Sequence, residues 1–308
     1  MEGVVLTAAN WPIVGQIAWL LGKVMNVIYT VLDNILPSDV GLVGLSIILY
    51  TIIVYMIMMP LTIKQQRMSK MTSVMNPELT AIRKKYQNKR DQASQLKMNE
   101  EMQQVYDKYG TSMTGGCLTM AIQMVLLFAL YPVVYDMESY VPAIKNATGD
   151  VQKFLTIPDL SLSPMQMFTE RADISSQFGV SSVILIVTAI ALPALSVLTQ
   201  YLSMRLSQAI SGQAMDKDNP MAGTMKTMNI TMPLMSLFFV ISLPAGLGIY
   251  WIISAVVRCI QQVIINSHLK KMSVEELIEK NKEKAEKKRE KRGEKAEKIN
   301  AMAQTNAR

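Results

Sequence analysis

The chain has 308 residues, half of them hydrophobic, and 31 lysines and arginines against 24 acidic residues leave a net charge of +7. That union of apolar bulk and basic balance excludes an ordinary soluble domain and points to an integral membrane protein with polar appendages. Two cysteines, Cys117 and Cys259, cannot build a disulfide framework or a four-ligand metal site, and a single histidine, His268, leaves the usual nucleophile–base pairs without a base. Neither catalysis nor a cofactor is expected.

The N-terminus lacks the basic region of a secretory signal, so no cleaved signal peptide is expected. From Trp11 to Asp33, Gln16, Lys23 and Thr30 recur every seven residues and form one polar stripe, with Asn26 and Asp33 beside it. Such a stripe, with Trp11 and Trp19 in the same segment, predicts an amphipathic helix lying in the membrane interface within residues 1–40; the alternative is a further span, which would bury Lys23. Windows of about 20 apolar residues then predict a first span at 41–61, a second at 117–135 and a third at 180–203. The greasy stretch 228–267 is too long for one crossing, and "LPAGLG" at Leu243 to Gly248 splits it into a fourth and a fifth. The predicted class is an all-α polytopic membrane protein with five transmembrane helices.

Loop charges set the orientation. Residues 62–116 hold ten lysines and arginines, whereas Pro132 to Ser182 holds Lys145, Lys153 and Arg171 against six acidic residues. By the positive-inside rule the first segment is cytoplasmic and the loop 136–179 external; the loop 204–227 and the tail 268–308 then fall inside, with the N-terminus out. Within the cytoplasmic segment, Asn76, Pro77 and Glu78 read as N-cap, first helical residue and dipole partner of a helix ending near Gln87, and Asp91 caps a second that ends at Gly110. Together they predict a charged helical hairpin. The tail from Lys270 has thirteen basic and eight acidic residues and a capping box at Ser273 and Glu276. It suits the phosphates of ribosomal RNA or anionic lipid, or serves as a solubilising tail.

Several stretches carry a resemblance: "MMPLTIKQQRMSKM" from Met58, "NPELTAIRKKYQNKRDQ", "YGTSMTGGCLTMAIQMVLLFALY", "FLTIPDLSL", "NPMAGTMKTMNITMPLMSLFF" and "PAGLGIYWIISAVVRCIQQ". In this order and spacing they resemble the YidC family of membrane protein insertases, over Gly41 to about His268. The resemblance implies five spans, a cytoplasmic hairpin, an external amphipathic helix and a hydrophilic groove open to cytoplasm and lipid. It implies as partners nascent membrane proteins and membrane lipids, with the Sec translocon, signal recognition machinery and ribosome as further ones, the ribosome through tail and hairpin. No nucleotide or metal is implied. A small-solute transporter or channel is the alternative, against which stand a single intramembrane charge and no visible inverted repeat.

A groove reaching partway shortens the apolar path that a polar segment must cross. Candidates to line it are Thr119, Gln123, Thr188, Gln200, Thr231, Ser236, Ser254, Tyr250 and Trp251; the competing reading of each hydroxyl is helix packing. Gln123 stands out as a mid-span amide that needs partners, and it matches a family glutamine. The 25 methionines provide either adaptable client-facing surface or ordinary filler. The family commonly has an arginine five residues before the proline of "PLT", where this chain has Tyr55. Between Lys226 and Lys270 the one charged residue is Arg258. Tyr55 lies nine residues before Lys64 and Arg258 ten before His268, so both fall about 13–18 Å inside the cytoplasmic boundary. Arg258 is therefore expected to supply from the fifth span the charge that Tyr55 does not supply from the first, unless its side chain snorkels to the interface.

Overall fold

The computed structural model describes residues 12–89, 91–110, 125, 128–129, 131–133, 136–145, 150–210, 231, 235–270, 276, 278–279 and 283. Among them the secondary structure is helical, relieved by one isolated bridge between Phe154 and Ile157. The elements are α1 (Pro12–Ile35), α2 (Leu42–Ile57), α3 (Met59–Tyr86), α4 (Gln92–Lys108), α5 (Met137–Tyr140), α6 (Pro142–Lys145), α7 (Pro164–Thr169), α8 (Arg171–Phe178), α9 (Ser182–Ile210) and α10 (Ala245–Lys270). α1, α9 and α10 are each long and apolar enough to cross a membrane, and α2 with α3 makes a fourth candidate if the broken pair counts as one. The predicted second span falls largely on residues outside those described, as do the first part of the fourth, Thr119, Gln123 and most of the tail.

The chain divides into two compact units. The first gathers residues 1–62, 120–209 and 223–262 around a core in which α1, α2, α9 and α10 each bury one face. On α1 that face is Val14, Ala18, Leu21, Met25, Ile28 and Tyr29, while Trp19, Lys23 and Val27 are exposed and the Lys23 ammonium sits over the Trp19 ring at 3.7 Å. α9 continues through Pro193 and leaves Val183, Val187, Ile190, Leu198 and Leu202 exposed, an aliphatic surface suited to lipid and ill suited to water. Leu243 and Pro244 end the preceding helical residues 235–242, as the "LPAGLG" turn predicts.

One segment, Asp150 to Ser163, fastens three helices of this unit. Val151 O accepts from Val43 N at the start of α2, and Leu162 O and Leu160 O accept from Ala245 N and Gly246 N at the start of α10. Helix starts carry four N–H groups with no partner inside the helix, so carbonyls brought to them satisfy a real deficit. Thr188 of α9 donates to Thr156 of the same segment at 2.8 Å. Phe154 lies on Gly44, the third residue of α2, so closely that a Cβ there would overlap its ring.

The second unit contains the hairpin. Asp91 accepts from Ser94 N and caps α4, and Gly110, at φ +63, follows the capping residue Tyr109. Asn76, in contrast, is not a cap. α3 runs without interruption from Met59 to Tyr86 and holds Pro77 in its interior. Proline there forfeits one backbone bond, but Met71, Met75 and Leu79 pack against Met102 and Val105 of α4 and its capping Tyr109, and a helix that broke before Pro77 would lose that continuous seam. Met71, Met75 and Met102 are thus core of the hairpin rather than client-facing surface.

The two hairpin helices repeat one pattern, a glutamate seven residues before a Lys-Tyr pair: Glu78 with Lys85 and Tyr86, and Glu101 with Lys108 and Tyr109. Each glutamate is clamped by the other helix's pair. Lys108 and Tyr109 donate to Glu78 at 2.8 and 2.7 Å, and Lys85 and Tyr86 donate to Glu101 at 2.6 and 2.8 Å. The crossed partners fix the helices as antiparallel in a unique register. The Lys108 hydrogen bond, then that of Tyr109, holds the Glu78 carboxyl below its ordinary value, and Lys85 and Tyr86 do the same for Glu101. Both tyrosines are pushed up, chiefly by their glutamates.

A pH window follows. Depressed carboxylates contribute stability that is present above about pH 4.5 and lost as pH falls through their lower folded values; raised tyrosines contribute below about pH 10 and lose it as pH rises through theirs. Amide exchange of residues 78–109 in the full-length protein, corrected for intrinsic rates, is expected to stay slow between those limits and to quicken outside them. Glu78→Gln with Glu101→Gln should quicken it at neutral pH; an unchanged profile would remove the clamps from the stability of the hairpin.

Candidate functional site

The residues singled out around Arg258 lie on one face of α10. Tyr250, Ser254, Arg258 and Gln261 follow at spacings of four, four and three, the helical repeat that stacks side chains in one stripe. Tyr250, Ser254 and Gln261 are buried and Arg258 is half-buried. On the opposite face of the helix Val256, Ile260, Val263 and Ile264 are exposed, so the polar stripe points into the protein and the aliphatic one away from it.

Tyr55 joins this stripe from α2. It is 4% exposed, and its side chain lies beside that of Tyr250, which is itself near the Arg258 charge. Gln261, 3% exposed, donates from Nε2 to the Tyr55 carbonyl at 2.7 Å. Tyr55 thus stands at the height of Arg258 and Gln261, the relation expected from counting residues to the charged boundary. Arg258 Nε donates to Ser254 O at 3.2 Å, one turn back on its own helix. Among the described residues no carboxylate pairs with the guanidinium. A charge that cannot be shed therefore has no anionic partner among the described residues, and the Tyr250 phenol lies near it.

The other candidates divide. Ser254 Oγ donates to Trp251 O at 2.9 Å, so this hydroxyl serves its own helix, and Trp251 is half-buried against the core. Thr188 is buried and spends its hydroxyl on Thr156, six residues into α9 and on the fastening segment. α9 instead presents a different polar pair: Gln200 Oε1 accepts from Ser236 Oγ at 2.8 Å, and Gln200 Nε2 donates to the buried Ser196 at 3.2 Å. Thr231 is exposed. Thr119 and Gln123 lie outside the described residues.

Gln261 is the residue that reading the sequence missed. It closes the apolar run and looks like its polar end, yet its spacing from Tyr250, Ser254 and Arg258 places it on their face and so in the interior. That periodicity was the available signal.

Among the described residues no group of histidine, cysteine, aspartate or glutamate is arranged to hold a metal. The arrangement offers an unpaired fixed charge and hydroxyl and amide dipoles in apolar surroundings, which is chemistry for receiving polar or anionic groups. Comparison with known proteins agrees on the class. A family model described as "60Kd inner membrane protein" matches residues 35–273. The "Membrane protein insertase YidC 2" of Bacillus anthracis is 28% identical over 225 residues, 72% of this chain and 71% of that protein. The "Membrane protein insertase YidC" of Treponema denticola is 28% identical over 270 residues, 86% of this chain but 40% of that longer protein. The "Membrane protein insertase MisCA" of Bacillus subtilis is 27% identical over 222 residues, 72% of this chain and 69% of its own. With apolar helices of spanning length and a match over more than three-quarters of its residues, the chain is a multi-pass membrane protein that belongs to the 60Kd inner membrane protein family.

Proposed function

We propose that this chain inserts nascent membrane proteins into the bacterial cell membrane, holding their polar flanks in a cytoplasm-open groove while their apolar helices pass into lipid. It works alone or beside the Sec translocon. The relatives' names support the reading, and the observation that carries it is Arg258, half-buried near Tyr250 and without a carboxylate partner among the described residues. A guanidinium in an apolar helix costs at least a few kcal/mol near the bilayer centre, and hydration or polar cargo offsets that cost where a mere packing residue would not.

Arg258, Tyr55, Tyr250, Ser254 and Trp251 line the groove in this proposal, with Thr119 and Gln123 from the second span; Thr188 belongs to the fastening of the 150–163 segment. The N-terminus lies outside and the C-terminus inside, α1 rests in the outer interface, and the basic hairpin and tail meet the ribosome and signal recognition machinery. Purified protein in vesicles is expected to insert a single-span client into a protease-protected position without making the vesicles permeable to small solutes. Solute flux with no insertion would favour a transporter. Full-length protein is also expected to pull down ribosomes more strongly than a version ending at Lys271, and equal binding would remove the tail from that role.

A further inference from the structure

We infer that Gln261 is a positioning residue of the proposed groove: it takes up the Tyr55 carbonyl left open where α2 breaks ahead of Pro60, and thereby fixes Tyr55 against the stripe of α10 that carries Arg258. The inference rests on the functional reading above for its consequence, and on backbone accounting for its cause.

α2 ends at Ile57, so the carbonyls of its last turn, Val54 to Ile57, have no donor within the helix. The break is local chemistry: Pro60 brings no N–H and locks its own φ, so the α2 ladder cannot run on through it, and α3 starts afresh at Met59. Met58 N serves Val54 O at 2.9 Å, and Leu61 N and Thr62 N both turn to Met58 O. Tyr55 O receives its bond from across the unit, from the Gln261 side-chain amide 206 residues away in sequence. In a membrane there is no bulk water to replace that donor, so a carbonyl left open would be costly.

The geometry makes this bond more than a patch. Tyr55 O and the Tyr55 side chain belong to one residue, and both meet the same stripe of α10: Gln261 bonds the carbonyl, and Tyr250 lies beside the phenol. Arg258 lies between them on that stripe. Glutamine suits the task because it is uncharged, long enough to cross between helices, and carries N–H donors; glutamate could not donate, and methionine fills nearly the same volume with no donor at all. The second amide atom, Gln261 Oε1, is buried and has no hydrogen-bond partner among the described residues, so the bond to Tyr55 is the one that orients this amide there.

The experiment uses the full-length protein in lipid nanodiscs or vesicles, with four forms: wild type, Gln261→Met, Pro60→Ala, and both together. Two readouts are taken, amide exchange of the 55–62 segment and insertion of a single-span client. Gln261→Met is expected to speed exchange of the segment about tenfold, the scale for losing one buried hydrogen bond, and to lower insertion severalfold at unchanged yield of folded protein. Pro60→Ala restores an N–H, whose own helical acceptor is Met56 O, and lets the helix continue so that Met59 N reaches Tyr55 O; in that background Gln261→Met should change exchange by less than about twofold. Unchanged exchange in Gln261→Met overturns the inference outright. Faster exchange with wild-type insertion overturns the positioning role and leaves a structural bond. If the wild type itself inserts no client, the functional reading fails, while the exchange arm and its Pro60 coupling still decide whether Gln261 serves the freed carbonyl.

Discussion

Arg258→Ala is expected to lower client insertion about tenfold or more, while leaving the protein as stable as wild type or slightly more so. The opposite directions follow from one cause. A fixed charge in an apolar helix is expensive to hold, so deleting it relieves the fold, and a residue retained at such expense is expected to act at the site. Arg258→Lys should keep part of the activity, since an ammonium supplies the charge as a compact point but not the planar fork that engages carboxylates and carbonyls in pairs. Tyr55→Arg combined with Arg258→Ala should recover much of the loss, because position 55 stands beside Tyr250 and Gln261, on the same stripe of α10 as Arg258, from the facing helix. Complementation of cells depleted of their own insertase, with Tm of the purified variants alongside, reads both directions. If Arg258→Ala complements as well as wild type, its side chain merely snorkels and the groove needs no charge from α10.

Gly44→Ala should destabilise the protein by about 1–3 kcal/mol and Gly44→Val by more, through overpacking rather than strain. The Phe154 ring occupies the place where a Cβ would go, and the ring is not free to leave. Phe154 and Ile157 exchange both backbone bonds at 2.9 Å, and Leu155 between them sits at φ +53, a conformation that leucine rarely adopts. Pushing Phe154 therefore pushes the whole 150–163 segment, which supplies carbonyls to the starts of α2 and α10 and a hydroxyl partner to α9. In a Phe154→Ala background the same Gly44→Ala change should cost less than about 0.5 kcal/mol, a coupling that thermal unfolding of the four variants measures. Gly179→Ala separates the two causes: it has φ +65 and no atom within 4 Å, so it tests backbone strain without overlap. Equal losses at Gly44 with and without the ring would show that the contact with Phe154 is not what glycine protects.

Much of this was legible before any coordinates. Hydrophobic runs and their length identify helices α2, α9 and α10, because lipid forces backbone groups to pair within a segment and leaves side-chain polarity to report the surroundings. The Asp91 cap, the Gly110 stop and the break at Pro244 are local signals, each read within a few residues. The height match of Tyr55 and Arg258 came from counting, since helix rise is constant. Local reading failed where a distant surface decided the outcome. Asn76-Pro77 has the pattern of a helix start, but α4 offers Met71, Met75 and Leu79 one continuous seam, and packing along it outweighs one lost backbone bond. Thr188 resembles a groove residue until Thr156 claims its hydroxyl.

The sequence by itself determined the class, the helical periodicity, the asymmetry of charge and the presence of one arginine in an apolar helix, all properties carried by neighbouring residues. Only the tertiary structure decided which atoms answer one another across the molecule. It put Gln261 against the Tyr55 carbonyl, Tyr250 against the Tyr55 side chain, Phe154 on Gly44, and each hairpin glutamate in the other helix's Lys-Tyr pair. The physical reason is that a buried donor, acceptor or methyl-sized space is satisfied by whatever the fold brings to it, and what the fold brings can lie two hundred residues away.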